Sequence, residues 1–64
     1  MAKRADVVRL LKKAGYESVG GAKHEKFRNA QGMTALVPRH GELNKLTAKR
    51  ILEGAGIPTD GVSW

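Results

Sequence analysis

The stretch HEKFRNAQGMTALVP, residues 24–38, decides the fold because it has the pattern of two strands with a tight loop between them. HEKFR and MTALVP are strand-compatible runs, and the intervening NAQG carries Asn, Gln and Gly, which suit a hairpin loop. Pro38 ends the second run, since proline cannot donate a hydrogen bond to a sheet. The preceding YESV, residues 16–19, is a third short run, stopped by Gly20 and Gly21. We therefore expect three antiparallel strands joined by short loops.

Helical periodicity flanks the predicted strands on both sides. In ADVVRLLKKAGY before them and in TAKRILEGAGI after them, apolar residues recur at the i, i+3, i+4, i+7 spacing of one helix face. Gly15 and Gly56 follow these runs and can take the positive φ that ends a helix. Asn44 or Thr47 can cap the N-terminus of the second helix. The apolar positions are Val7, Leu10, Leu11 and Ala14, and then Ala48, Ile51, Leu52 and Ala55.

The predicted order of elements is helix, three strands, helix. Two helices with one apolar face each can share a core with a small antiparallel sheet only as a two-layer α+β sandwich. The helices then cover one face of the sheet, and the other face is left in contact with solvent. With 64 residues the chain can form one domain with a thin core.

The composition favours a polyanionic partner. Twelve Lys and Arg against six Asp and Glu give a net charge of +6, which raises encounter rates with polyanions and releases counterions from bound phosphates. On charge alone, a nucleic acid, an acidic protein and no specific meaning all remain open. The absence of cysteine excludes disulfides and thiolate metal sites, and it is compatible with a reducing, intracellular setting.

We expect a soluble, cytoplasmic protein. No stretch approaches the roughly 20 apolar residues that span a bilayer. The opening MAKRADVVRLLKKAG is basic, but charges interrupt its apolar positions. It also lacks the continuous apolar segment and the cleavage site of a signal peptide.

His24 is the candidate for chemistry. Because side chains alternate along a strand, Phe27 should point into the core with Glu25 on its side. His24, Lys26 and Arg28 then share the open face. A histidine with two cations beside it is well placed to meet a phosphate backbone. Those cations disfavour the imidazolium, whereas a bound phosphate favours it.

Cleaving RNA without a metal requires a base for the 2′-hydroxyl proton, an acid for the leaving oxygen and stabilisation of the anionic phosphorus centre. Histidine, with an unperturbed pKa of about 6.5, suits either proton transfer near neutrality. Lys23, Lys26 and Arg28 could stabilise the anionic charge, and Gly20 and Gly21 leave room for a backbone to approach. Two plainer interpretations stay open: an ordinary exposed histidine on a solvated basic strand, and a Gly-Gly turn or bulge.

Several segments taken together resemble the HicA toxin family, small bacterial mRNA interferases of toxin–antitoxin pairs. They are VVRLLKKAGY, GGAKHEKFRN, LVPRHGELNKLT and ILEGAGI. PRHGEL followed by ILxxAGI is a specific combination for so short a chain. The resemblance runs from about Arg4 to Ile57, so we expect one HicA-like domain over residues 1–64, with its core at about 4–57 and a C-terminal tail at 58–64. Whether Trp64 in this tail folds back onto the core is left open.

The resemblance implies a fold like that of double-stranded-RNA-binding domains, with the order helix, three strands, helix. It also implies metal-independent endonuclease activity on mRNA, with one essential histidine and no cofactor. His24 occupies the family's Gly-x-x-His position and would act as the general acid or base. The family commonly has Gly-Ser-His, whereas this chain has Ala22-Lys23-His24, so a hydroxyl before the histidine is missing.

The second histidine, His40, matches a histidine in the family's segment corresponding to VPRH. We expect it to order the loop into the second helix rather than to do chemistry. A metal site made of His24 and His40 is not expected. The chain has no cysteine and no acidic residue at a recognisable ligand spacing.

The family's partner is a HicB antitoxin, and we expect a HicB-like protein to inhibit by covering the open strand face. The main alternative is a non-catalytic RNA-binding module of the same fold, which would recognise RNA by shape and phosphate contacts. A purely protein-binding domain is a third possibility. The sequence does not indicate the second proton-transfer group, the cleavage-sequence preference, ribosome dependence or whether the protein forms homo-oligomers.

Overall fold

Two helices and five short strands make up the computed structural model, which describes residues 2–62. Within this range no helix is long and apolar enough to cross a membrane. The strands are β1 (Ala2–Lys3), β2 (Glu17–Gly20), β3 (His24–Arg28), β4 (Thr34–Pro38) and β5 (Glu42–Leu43), and the helices are α1 (Arg4–Lys13) and α2 (Lys45–Gly54).

The first helix, α1, forms where the apolar periodicity predicts it. Val7 and Leu11, one turn apart, are buried. Lys12 and Lys13 are exposed in the last turn, where cations complement the helix dipole. Gly15 follows with a φ of 94° and lets the chain leave the helix, as predicted.

The second helix, α2, begins at a side-chain cap. The Oδ1 of Asn44 accepts a hydrogen bond from the backbone N–H of Leu46 at 2.8 Å. Of the two predicted caps, Asn44 is therefore the one used, and Thr47 lies inside the helix. Gly56, with a φ of 77°, follows the C-terminal end.

The three predicted strands form one antiparallel sheet in the order β2-β3-β4, with β3 in the centre. Cross-strand partners include Phe27 with Ala35 and Glu25 with Val37. Between Ser18 and Gly20 the register of β2 against β3 shifts, which is the mark of a β-bulge. Gly20 therefore ends the bulge and Gly21 begins the turn into β3. This agrees with the interpretation of Gly-Gly as a turn or bulge.

Residues 29–33 form the hairpin loop between β3 and β4. Asn29 closes this loop, since its backbone N–H donates to the carbonyl of Met33 at 3.0 Å. Its side chain also accepts from the N–H of Met33 at 2.8 Å. Gly32 has a φ of 84°, which explains why the loop needs a glycine.

Both helices pack on the same face of the sheet, and this confirms the predicted two-layer α+β architecture. Tyr16, which the sequence suggested as a strand residue, is buried just before β2. Its hydroxyl donates to the carbonyl of Ala55 at 2.8 Å and ties the ends of the two helices together. The largest fully buried side chains come from both layers: Val7, Leu11, Phe27, Val37 and Leu52.

Within residues 2–62, a two-stranded ribbon is the one addition to the predicted order. Strand β1 pairs antiparallel with β5, Ala2 opposite Leu43 and Lys3 opposite Glu42. Strands of two residues carry no periodicity, so no pattern in the sequence indicates them. The predicted position of Trp64 lies outside the described residues.

Candidate active site

His24 begins β3 and lies on the face of the sheet that the helices leave uncovered. Alternation along the strand places Lys26 and Arg28 on the same face, while Glu25 and Phe27 lie on the helix side. Phe27 is fully buried, whereas the three residues of the other face are exposed. The structure therefore brings together the three strand residues that the sequence singled out.

Residues of β4 complete this surface, because cross-strand partners share a face of the sheet. Leu36 is 57% exposed and places an apolar side chain among the cations, a feature that the sequence reasoning did not anticipate. We call the whole surface the open face; its members are the pairs His24–Pro38, Lys26–Leu36 and Arg28–Thr34, together with Glu17 of β2, which lies opposite Arg28.

The cations at the open face form no ion pair in the described range, although Glu17 of β2 lies opposite Arg28 in the sheet. Lys23 is exposed in the connection between β2 and β3, next to His24. Within residues 2–62, Lys23, Lys26 and Arg28 form no ion pair; both ion pairs of that range lie elsewhere. Exposed cations that form no ion pair attract a polyanion such as a phosphate backbone.

A hydrogen-bonded cluster lies directly behind His24, on the helix side of the sheet. The Arg4 guanidinium forms an ion pair with Glu25 and donates through Nε to the carbonyl of Pro38 at 2.8 Å. The hydroxyl of Ser18 donates to the other carboxylate oxygen of Glu25. These two hydrogen bonds, that from Ser18 first and that from Arg4 second, hold the pKa of Glu25 below its ordinary value, although partial burial opposes them.

A second arginine ties the segments on either side of His24. The Nη2 of Arg39, just after β4, donates to the carbonyl of Gly21, just after β2, at 2.6 Å. Gly21 itself has a φ of 122°, and a Cβ at this position would lie 2.2 Å from the carbonyl oxygen of His24. Any side chain here would displace the backbone that carries His24. Gly20, by contrast, has open space where its Cβ would be.

His40 lies in the exposed loop between β4 and β5. Its side chain makes none of the hydrogen bonds found among residues 2–62, so the expected ordering role has no contact to support it. The loop is instead held by Arg39 and by the backbone N–H of Arg4, which donates to the carbonyl of Gly41 at 3.1 Å. The described residues hold no group of three or more side chains that could bind a metal ion.

A shallow depression of about 320 Å³ opens at the far end of β3 from His24. Arg28 lies four positions after His24, which corresponds to about 13 Å along a strand. The depression is therefore a feature of the surface next to the candidate site and does not contain His24. Its lining residues are Gly15, Glu17, Val19, Arg28, Asn29 and Ala30.

The sequence reasoning missed Arg4, Ser18 and Arg39. Polar residues at the ends of elements have no periodicity that would reveal their partners, and 21 residues separate Arg4 from Glu25. One signal was present: Glu25 was predicted on the core side of its strand. A carboxylate in that position needs a cation or hydrogen-bond donors to compensate its lost hydration.

Comparison with known proteins agrees with these observations. A family model described as HicA toxin of bacterial toxin–antitoxin systems matches residues 4–57. The matched range contains α1, α2, the whole three-stranded sheet and every candidate site residue. A search of curated proteins found no match.

Proposed function

Since the chain belongs to the HicA family of toxins from bacterial toxin–antitoxin systems, we propose that it is an mRNA interferase. In this proposal it is a metal-independent endoribonuclease with His24 as general acid or base. Toxins of this family are ribonucleases, so the proposal concerns the substrate, the mechanism and the residue. An mRNA target also places its action in the cytoplasm.

The proposed reaction is an internal transesterification of RNA. A base removes the proton of a ribose 2′-hydroxyl, whose oxygen attacks the adjacent phosphorus, and the bond to the 5′-oxygen of the next nucleotide breaks. That oxygen leaves with a proton from an acid, so the products are a 2′,3′-cyclic phosphate and a 5′-hydroxyl. His24 transfers one of these protons, a role that typically contributes about 10²–10⁴-fold in rate.

The observation that carries the proposal is the position of His24. It is exposed at the start of β3 in the family's Gly-x-x-His position, on a face that also presents Lys26 and Arg28 without ion-pair partners. Lys23, Lys26 and Arg28 would contact phosphates and stabilise the charge that develops at phosphorus. Leu36 adds an apolar surface against which a base can pack.

Membership in a toxin–antitoxin family implies an antitoxin partner. We propose that this partner is a HicB-like protein that covers the open face and thereby keeps RNA from His24. A net charge of +6 favours an acidic or neutral partner. Unpaired cations and the exposed Leu36 are the features of this surface that such a partner could contact.

Cleavage of an end-labelled mRNA in the presence of EDTA tests the proposal. Wild type should cut and leave 5′-hydroxyl ends, and His24→Ala should lose at least 100-fold in rate. His24 is exposed and makes no side-chain hydrogen bond in the described range, so its loss should leave the melting temperature unchanged. His40→Ala is the matched control and should cut like wild type; loss of cleavage there would make His40 the second proton-transfer group.

The departure from the family pattern at Lys23 favours one alternative, the non-catalytic RNA-binding module. In that case wild type and His24→Ala would both bind RNA in a salt-dependent manner and neither would cut. Lys23→Ser restores the hydroxyl that the family commonly has before the histidine. Appearance of cleavage in that variant would show that Lys23 had inactivated an otherwise intact site.

A further inference from the structure

Behind His24, four groups from four different elements are joined by hydrogen bonds. We call them the Arg4 clamp: the guanidinium of Arg4 at the start of α1, the carboxylate of Glu25 in β3, the hydroxyl of Ser18 in β2 and the carbonyl of Pro38 in β4. None of the three side chains lies on the open face. The clamp is therefore separated by the sheet from the surface that would meet RNA.

Each contact of the clamp fixes a neighbour of His24. Glu25 is the next residue in β3, and its two carboxylate oxygens are held by Arg4 and Ser18. Pro38 is the cross-strand partner of His24, and Nε of Arg4 donates to its carbonyl at 2.8 Å. One arginine thus joins the residue after His24 to the residue opposite it.

The clamp lies where the sheet gives His24 little backbone support. The Asn29 N–H donates to Met33, so Phe27–Ala35 and Glu25–Val37 are the hydrogen-bonded pairs of β3 with β4, and His24–Pro38 is a non-hydrogen-bonded pair. Pro38 ends the edge strand β4, and its carbonyl is free to accept from Arg4. On the other side, the last pair of β2 with β3 is Gly20–Lys26, after the bulge between Ser18 and Gly20, so His24 lies beyond that pairing. The clamp adds contacts to the neighbours of His24 at this end of β3.

The clamp differs from an ordinary surface ion pair. Arg4 and Glu25 side chains are only 21% and 20% exposed, whereas those of Arg9 and Asp6 in the other pair are 71% and 36% exposed. Charge-assisted hydrogen bonds from a planar guanidinium impose a direction as well as an attraction. Exposed pairs of the second kind contribute little and constrain little.

We propose that the Arg4 clamp positions the His24 imidazole for proton transfer, with Arg4, Glu25 and Ser18 as positioning residues that touch neither RNA nor the reacting atoms. This inference rests on the proposed function. Supporting residues of this kind hold a reacting group in its productive geometry, and a displacement of about 1 Å can cost about 100-fold in rate.

The main test compares two substitutions of one side chain. Ser18→Ala removes the hydroxyl that donates to Glu25, whereas Ser18→Thr keeps it and is well tolerated in a strand. Ser18 is exposed at the sheet edge, so neither variant should unfold the protein. We expect kcat for RNA cleavage to fall at least threefold in Ser18→Ala, with KM and RNA affinity unchanged. In Ser18→Thr we expect kcat to stay near the wild-type value.

Glu25→Gln tests the same cluster more strongly, with Asp6→Asn as the matched control on α1. Asp6 belongs to the exposed ion pair with Arg9 and lies outside the clamp. We expect kcat to fall at least tenfold in Glu25→Gln and to stay at the wild-type value in Asp6→Asn. Both are assayed well below their melting temperatures. The double variant Ser18→Ala with Glu25→Gln should lose no more than Glu25→Gln alone, because the two side chains act as one unit.

A spectroscopic measurement separates this inference from the proposed function. The ring Cε1–H NMR signal of His24 reports its surroundings whether or not the protein cleaves RNA. In Ser18→Ala and Glu25→Gln this signal should move or broaden, while the methyl signals of Leu52 in the core stay in place. If wild type fails to cut but the His24 signal responds as expected, the proposed function fails and the structural coupling stands.

Any of three results with Glu25→Gln would overturn the inference: an unchanged His24 signal, a kcat equal to wild type, or a loss in KM rather than in kcat. Ser18→Thr losing as much as Ser18→Ala would also overturn it, since the hydroxyl would then not be the group that matters.

Discussion

At the scale of single residues, His24 depends on neighbours that have no role in chemistry. Gly21 leaves no space for a side chain beside the His24 carbonyl. Arg4 donates to the carbonyl of Pro38, the cross-strand partner of His24, and Glu25 accepts two hydrogen bonds on the helix side of the strand. The backbone at His24 is therefore held by the lack of space at Gly21 and by polar side-chain contacts, in addition to strand pairing.

The state of Glu25 should make this region sensitive to acid. Its pKa is lower in the folded protein than its ordinary value of 4.5 because Ser18 and Arg4 donate to it. A carboxyl group of this kind stabilises the fold above its unfolded-state pKa, and that stabilisation is lost as pH falls through the lower, folded-state pKa.

We expect Glu25→Gln to melt below wild type by a constant margin from about pH 6 to pH 8, and this margin to shrink below about pH 4.5. Melting curves followed by circular dichroism across this range measure it. The control is Glu53→Gln, on the exposed surface of α2 without a side-chain hydrogen bond in the described range. The melting temperature of this variant should stay close to that of wild type at every pH. A Glu25→Gln margin that persists unchanged to pH 3 would contradict the assignment.

At the scale of elements, the two helices are stabilised at their ends in different ways. α2 has a side-chain cap at its N-terminus, Asn44, while α1 follows Lys3, which makes no such hydrogen bond. The start of α1 is held instead by tertiary contacts, since Arg4 bonds to Gly41, Pro38 and Glu25. The start of α2 is thus set by a local side-chain cap, and the start of α1 by contacts with distant residues.

The cap of α2 can be tested with the two residues that the sequence offered for it. Asn44→Ala removes the acceptor for the Leu46 N–H and should lower the free energy of unfolding by about 1 kcal/mol. Thr47→Ala changes an exposed residue inside the helix and should shift it by less than about 0.5 kcal/mol. Urea denaturation measures both. Equal losses would mean that Thr47 shares the capping role.

At the scale of the whole molecule, the core lies on one face of the sheet and the candidate site on the other. One face carries the helices and the core, and the other presents His24, Lys26 and Arg28 beside Leu36. A domain this small cannot bury both faces of a sheet, so one face stays in contact with solvent. Under the proposed function, RNA and the antitoxin would compete for this surface.

Salt dependence tests which cations meet RNA. If Lys26 contacts a phosphate, Lys26→Gln should weaken binding to single-stranded RNA and reduce the slope of log affinity against log salt by about 0.7. Lys49→Gln removes the same charge from α2, on the other side of the sheet, and should leave the slope unchanged. Titrations by fluorescence anisotropy at several salt concentrations measure both. Identical slopes in the two variants would show that net charge, rather than the open face, governs binding.

What the sequence determined by itself was local and periodic. The 3.6-residue repeat predicts both helices, the glycines predict where they end, and the two-residue alternation of HEKFR places His24, Lys26 and Arg28 on one face. Each of these follows from chain geometry within a few residues. Together with the family motifs, they were sufficient for the fold class and for the candidate histidine.

The tertiary structure alone decided which distant groups meet. The β1–β5 ribbon, the ion pair of Arg4 with Glu25 and the hydrogen bond of Arg39 to Gly21 join segments separated along the chain by 18 residues or more. Such contacts depend on how the helices dock on the sheet, because no local propensity encodes a partner that far away. The surroundings of His24, as distinct from its place in a strand, are therefore a product of packing.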